Sequence, residues 1–134
     1  MNAVQPVSGI VAQERNGDAA VMTGTVLVVD DQDVVRDVIR LTLEGAGYTV
    51  LDAASPNDAL ALVRDNGPID LLVTDVVMPE MDAFELADRV ASELPGVRVL
   101  YTSGYTDAGA EGPFIQKPFT PAELVEKVST VLAG

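Results

Sequence analysis

The chain has no cysteine and no histidine. The first absence rules out disulfides, thiolate nucleophiles and cysteine-ligated metal centres. The second removes the commonest general base and the commonest zinc ligand. Tryptophan is also missing, and there are only three tyrosines and three phenylalanines. Cations are scarce: 8 Lys and Arg stand against 21 Asp and Glu, a formal net charge of −13. A phosphate backbone would repel such a surface, so no direct nucleic-acid partner is expected. No apolar run approaches the ~20 residues that a membrane-spanning helix requires. The N-terminus lacks the basic start and apolar block of a secretory leader. The expectation is a cytoplasmic protein with no membrane association.

What remains is enough to fold. With 134 residues, 48% of them hydrophobic, the chain can build one domain around one core. Residues 1–24 show no sustained period and mix Gln, Asn, Gly, Ser and Pro with scattered valines. They are expected to form a flexible tail, leaving 25–134 as the folded unit.

From Thr25 the pattern is regular. "TVLVVD" is a short β-branched apolar run, as a strand covered on both faces requires. "DVVRDVIRLTLEGAG" follows, with Val34, Val35, Val38, Ile39, Leu41 and Leu43 giving a broad apolar helix face. "YTVLDAA" is a second strand. Its helix opens with Ser55 as N-cap, Pro56 at the first helical position and Asp58 three after the cap. "IDLLVTD" is a third strand, followed by a helix over "DAFELADRVASEL" that Pro95 and Gly96 stop. "VRVLYTS" and "FIQ" are the fourth and fifth strands. The last helix starts at a capping box, Thr120 with Glu123. Almost strict alternation of strand and helix predicts an α/β domain with a doubly wound parallel sheet. In such folds ligands meet the C-terminal ends of the strands.

Those ends carry chemistry. The first strand ends in Asp30-Asp31, the third in Asp75, the fourth in Thr102-Ser103 and the fifth in Gln116-Lys117. A lone strand-end Asp more often caps a loop than attacks a substrate. An Asp-Asp pair is common by chance, and Lys-Pro is usually only a turn. Their occurrence together, in order at successive strand ends, is a different matter. Clustered carboxylates repel unless a cation neutralises them. Hard oxygen donors on an open rim suit Mg²⁺, and Lys117 supplies a second positive charge. The set is suited to a phosphoryl group whose oxygens the cations neutralise while a carboxylate attacks in line.

The quoted motifs "VLVVDDQDVVR", "DLLVTDVVMPEMD", "VLYTSGY" and "QKPFTPAELVEKV" resemble receiver domains of two-component response regulators. The wording is most similar to the receivers at the C-terminus of hybrid histidine kinases. The likeness runs from about residue 25 to 132. It implies a flavodoxin-like receiver fold with a five-stranded sheet. It implies that Asp75 is the phosphoacceptor, that Asp31 ligates Mg²⁺ with Asp30 close by, and that Val77 offers the metal its backbone carbonyl. Lys117 would bind a phosphoryl oxygen and Ser103 would hydrogen-bond the phosphoryl group. The Lys117-Pro118 bond is commonly cis in such proteins. The implied partner is a histidine kinase or a histidine phosphotransfer protein, because this chain has no histidine of its own to phosphorylate. The domain would not be a conventional enzyme, only shedding its phosphate slowly. With Val77 and Tyr105 at the two positions that influence hydrolysis, a long-lived phosphoryl state is expected. No output-domain pattern follows the last helix, so signalling is expected by protein contact or onward transfer.

Three departures from the family pattern stand out. Ala83 replaces the usual glycine after "MD", at little cost if the backbone there is helical. Phe114 stands at the aromatic switch position without a hydroxyl; either Tyr101 and Tyr105 substitute for it or the ring is simply core, and a core role is expected. Between the fourth and fifth strands only residues 104–113 are available, including Gly104, Gly109, Gly112 and Pro113. Ten extended residues reach roughly 33 Å, enough to return along a strand of ~17 Å without a helix. A loop is therefore expected where receivers carry a helix. The sheet surface this would uncover allows two states, a non-standard homodimer and a monomer.

Two rivals belong to other classes. An aspartate-dependent phosphatase would use an Asp-x-Asp pair; Asp31-Gln32-Asp33 has that spacing, but Asp33 is expected to cap the helix instead. A flavin or nucleotide module would share the fold, but no glycine-rich phosphate loop follows the first strand. A receiver that acts unphosphorylated, by interaction only, is the remaining alternative.

Overall fold

The structure, a computed structural model, describes residues 24–104 and 112–134. The expected N-terminal tail, and most of the segment expected to replace a helix, fall on residues outside these ranges. Among the described residues no helix stands between the fourth and fifth strands.

Among the described residues nine elements follow one another, strands and helices alternating up to β4: β1 (Thr25–Val29), α1 (Asp33–Gly45), β2 (Thr49–Ala53), α2 (Pro56–Asn66), β3 (Leu71–Asp75), α3 (Ala83–Glu93), β4 (Arg98–Ser103), β5 (Phe114–Gln116) and α4 (Pro121–Ala133). The strands form one parallel sheet in the order β2-β1-β3-β4-β5. The order reverses between β1 and β3, and that switch point opens a crevice above their C-terminal ends. No described helix is long and apolar enough to cross a membrane.

Side chains of the sheet alternate between two cores. On one side, Leu27, Val29, Leu72 and Tyr101 pack with Leu60 and Val63 of α2 and Leu86 and Val90 of α3. On the other, Val26, Val28, Leu71, Val73 and Leu100 pack with Ile39 and Leu43 of α1 and Leu124 and Val128 of α4. β1 and β3 are buried almost throughout, which explains why their sequences read as apolar runs rather than as alternations. Each such large side chain stabilises the fold by about 1.5–3 kcal/mol relative to exposure.

The expected caps form. Ser55 accepts from the Asp58 N–H at the start of α2. At the start of α4, Thr120 and Glu123 satisfy each other's backbone N–H groups. Ala83 is the first residue of α3 and fully buried, so a side chain there costs nothing that glycine would save. Phe114 packs against the core beside Tyr101, whose ring also lies 5.0 Å from that of Phe84.

Two expectations for α1 need correction. Asp33 is not its cap: Gln32 holds that position without a side-chain cap bond. Asp33 is the first helical residue and accepts from Nη2 of Arg36 at 2.7 Å. The long guanidinium competes successfully for a carboxylate one turn away. Nor is the apolar face wholly buried. Ile39 and Leu43 reach the core, whereas Val34, Val38 and Leu41 are 76%, 50% and 59% exposed. A valine-rich helix marks several directions as apolar, and only the sheet's position decides which is covered.

Candidate functional site

The crevice at the β1/β3 switch point gathers the residues that end the strands. Asp30 leaves β1 buried at 1% exposure, and Asp75 closes β3, also buried. Asp31 stands exposed beside them. One carboxylate oxygen from each of Asp30, Asp31 and Asp75 lies within 4.8 Å of the others. Lys117, just past β5, places its Nζ 3.2 Å from Asp30 Oδ2 and 3.4 Å from Asp75 Oδ2. It spans the sheet's switch point from two strands away.

Backbone geometry carries the lysine there. β5 runs parallel to β4 with Ser103 opposite Gln116, and the Lys117 N–H donates to the Ser103 carbonyl at 2.6 Å. The Lys117–Pro118 peptide is cis. Ser103 is fully buried at the end of β4. Asp75 lies opposite Thr102 in the β3–β4 register, so Ser103 stands one residue further along the adjacent strand. Val77 sits on the loop after β3 with its side chain 60% exposed and a backbone hydrogen bond to the Asp75 carboxylate.

Asp30 is fixed from four directions. Its N–H donates to the Ala53 carbonyl at 3.2 Å, and its Oδ1 accepts from the Gln32 N–H at 2.8 Å. Its Oδ2 faces Lys117, and its carbonyl accepts from Arg36 Nη1 at 2.8 Å. Arg36 is a residue that strand ends do not reveal. A cation in the first turns of a helix reads as part of a solvated face; only its position one turn above an acidic loop distinguishes it.

Burial pushes the Asp75 carboxyl above its usual range; the nearby Lys117 pulls it back, and Asp30 pushes it further up. The rim thus concentrates negative charge where water is partly excluded, with the Lys117 ammonium between two of its carboxylates. Its donor set is all hard oxygen and open on the Asp31 side. That chemistry fits Mg²⁺, which takes carboxylate oxygens and keeps several waters.

A doubly wound parallel sheet with carboxylates and a lysine at its switch point defines the class. Within it the chain matches the response regulator receiver domain family over residues 26–129. It belongs to that family and is a receiver domain of two-component signalling. It is 36% identical over 119 residues to the sensor kinase CckA of Brucella abortus (strain 2308), a match covering 82% of this chain and 13% of that protein. It is 34% identical to the phosphate regulon transcriptional regulatory protein PhoB of Pseudomonas aeruginosa, covering 81% of this chain and 51% of that one. To the response regulator receiver protein CpdR of Brucella abortus it is 32% identical, covering 83% and 98% respectively. The chain therefore spans a small part of the kinase, about half of PhoB and nearly all of CpdR. Among solved structures, the receiver domain from the hybrid histidine kinase CckA aligns with a TM-score of 0.73 at 37% identity, covering 81% of this chain and 99% of that one. The Vibrio cholerae chemotaxis protein CheY4 aligns with a TM-score of 0.73 at 31% identity, covering 81% and 98%.

Proposed function

We propose that this receiver accepts a phosphoryl group on Asp75 from a phosphohistidine of a partner kinase or phosphotransfer protein. The observation that carries the reading is the convergence of Asp75 with Asp30, Asp31 and Lys117 at one switch point. An Asp75 carboxylate oxygen attacks phosphorus in line, a new O–P bond forms, and the histidine N–P bond breaks with its electron pair returning to the imidazole ring. Lys117, already within reach of the Asp75 carboxylate, follows the phosphoryl oxygens and balances their charge. Ser103, on the neighbouring strand end, hydrogen-bonds the transferred group from the β4 side.

Asp30, Asp31, Asp75 and the Val77 carbonyl are the groups that would hold Mg²⁺. When bound it neutralises charge on the phosphoryl oxygens. Exposed apolar side chains of α1, Val34 and Val38, give a phosphohistidine-bearing protein a surface beside the site. Val77, also exposed and two residues after Asp75, hinders approach of hydrolytic water and favours a long-lived acyl phosphate. The signal then leaves by protein contact or by onward transfer, in the cytoplasm.

Phosphoramidate tests this because it presents the same N–P bond as phosphohistidine. Intact-mass spectrometry of wild type with phosphoramidate and Mg²⁺ should show one added phosphoryl group, not formed when the metal is chelated beforehand and absent in Asp75→Asn. Equal labelling of the variant would sink the assignment. Steady release of phosphate from generic phosphate esters would favour a phosphatase instead, and no labelling at all would favour an interaction-only receiver.

A further inference from the structure

The Asp30–Asp31 peptide is held from α1. Nη1 of Arg36 donates to the Asp30 carbonyl at 2.8 Å. That carbonyl lies in the planar peptide that joins Asp30 to Asp31, so fixing it fixes the direction in which Asp31 leaves β1. The guanidinium is itself anchored on two elements. Nη2 donates to Asp33 Oδ1 at 2.7 Å on α1, and Nε faces Asp52 Oδ2 at 3.4 Å on β2. One planar fork thus ties the acidic loop to its helix and to the edge strand, a geometry that a lysine cannot reproduce. Arg36 is mostly buried, at 15% side-chain exposure.

We infer that Arg36 is a positioning residue for the metal: through the Asp30–Asp31 peptide it orients the Asp31 carboxylate and thereby sets the cation affinity of the rim. The inference rests on the reading of Asp30, Asp31 and Asp75 as a Mg²⁺ site. Electrostatics alone makes the opposite forecast. Arg36 is a cation beside an acidic cluster, so deleting it should tighten binding of another cation. Positioning says that deletion weakens binding, since lost hydrogen bonds behind metal ligands cost about tenfold in affinity or more. Arg40 separates the two effects. It lies one turn further along α1, faces the same Asp52 Oδ2 at 3.6 Å, and pairs with Asp37 and Glu44. Deleting it removes the same charge but no bond to the Asp30 carbonyl.

Calorimetric titration with Mg²⁺ of wild type, Asp31→Asn, Arg36→Met, Arg36→Lys and Arg40→Met tests the idea. The expected result is a loss of about tenfold in Arg36→Met, a smaller loss in Arg36→Lys, which keeps charge but not the fork, and no loss in Arg40→Met. With acetyl phosphate as donor, the Mg²⁺ concentration for half-maximal phosphorylation of Arg36→Met rises in proportion. Its rate at saturating Mg²⁺ stays near that of wild type, a split that a merely unfolded fraction would not give. Arg36→Met binding as tightly as wild type, or Arg40→Met weakening as much, overturns the inference. Wild type that takes up no Mg²⁺, or Asp31→Asn that binds unchanged, overturns the metal reading beneath it, and the inference falls with it.

Discussion

Replacing Lys117 by Met removes the ammonium that pairs with both Asp30 and Asp75. At the observed separations of 3.2 and 3.4 Å, and with an effective dielectric constant of about 20, each attraction is roughly 5 kcal/mol before desolvation is counted. Drawing the ammonium out of water and ordering its stem offset most of this. Breaking a buried pair by removing one partner typically costs about 3 kcal/mol; with Lys117 only 20% exposed and Asp30 at 1%, that is the expected loss. Without Mg²⁺ it lowers the melting temperature by about 12 °C for a domain of this size. Asp75, which burial pushes above its usual range, then loses the Lys117 charge that pulls it back, so its folded pKa stays above the unfolded one. The deficit is therefore complete at neutral pH and shrinks as pH falls and Asp75 takes up a proton. Added Mg²⁺ should restore more stability to the variant than to wild type, because the metal replaces the missing charge. Urea melts of both proteins at pH 7 and pH 4, with and without Mg²⁺, read all three effects. A variant within about 0.5 kcal/mol of wild type in chelator at pH 7, inside the scatter of neutral surface changes, would refute the reasoning.

Other substitutions follow from single observations. Burial holds the Asp75 carboxyl above its usual 3.8, so the ionised form costs wild type stability above the raised folded value and nothing below the unfolded one. Asp75→Asn should raise the urea midpoint at pH 7 in chelator, with the gain gone in acid; a gain that persists there would exclude this cause. The Thr102 hydroxyl is buried with no hydrogen-bond partner among the described residues, so Thr102→Val should stabilise by about 1 kcal/mol in thermal melts, and a loss would show that the hydroxyl is used. Thr120→Ala breaks the capping box of α4 and should cost about 1 kcal/mol by the same measure, whereas an unchanged midpoint would mean that packing alone sets that helix start.

Local rules carried much of this structure. Ser55 and Thr120 cap their helices because a cap needs only residues three or four apart, all visible in the sequence. The strand ends were legible for a topological reason: in a parallel sheet every strand delivers its last residue to the same rim, so Asp30, Asp75 and Lys117 meet without further information. What was not legible depends on distance. Val34, Val38 and Leu41 look like core until the sheet's position shows α1 turning them outward. Asp33 looked like a cap because nothing in the sequence shows that the Arg36 side chain will fold back on it while also gripping the Asp30 carbonyl. Burial of Thr102 beside a used strand end likewise emerges only when both cores close over the sheet.

The central claim is that a phosphoryl group ends on Asp75 and nowhere else. Borohydride reduces an aspartyl phosphate to homoserine, which marks the acceptor permanently. Peptide mapping of protein treated with acetyl phosphate and Mg²⁺, then with borohydride, should find homoserine at position 75 alone. Homoserine at Asp30 or Asp31, or unmodified Asp75 in protein that has taken up phosphate, would contradict it.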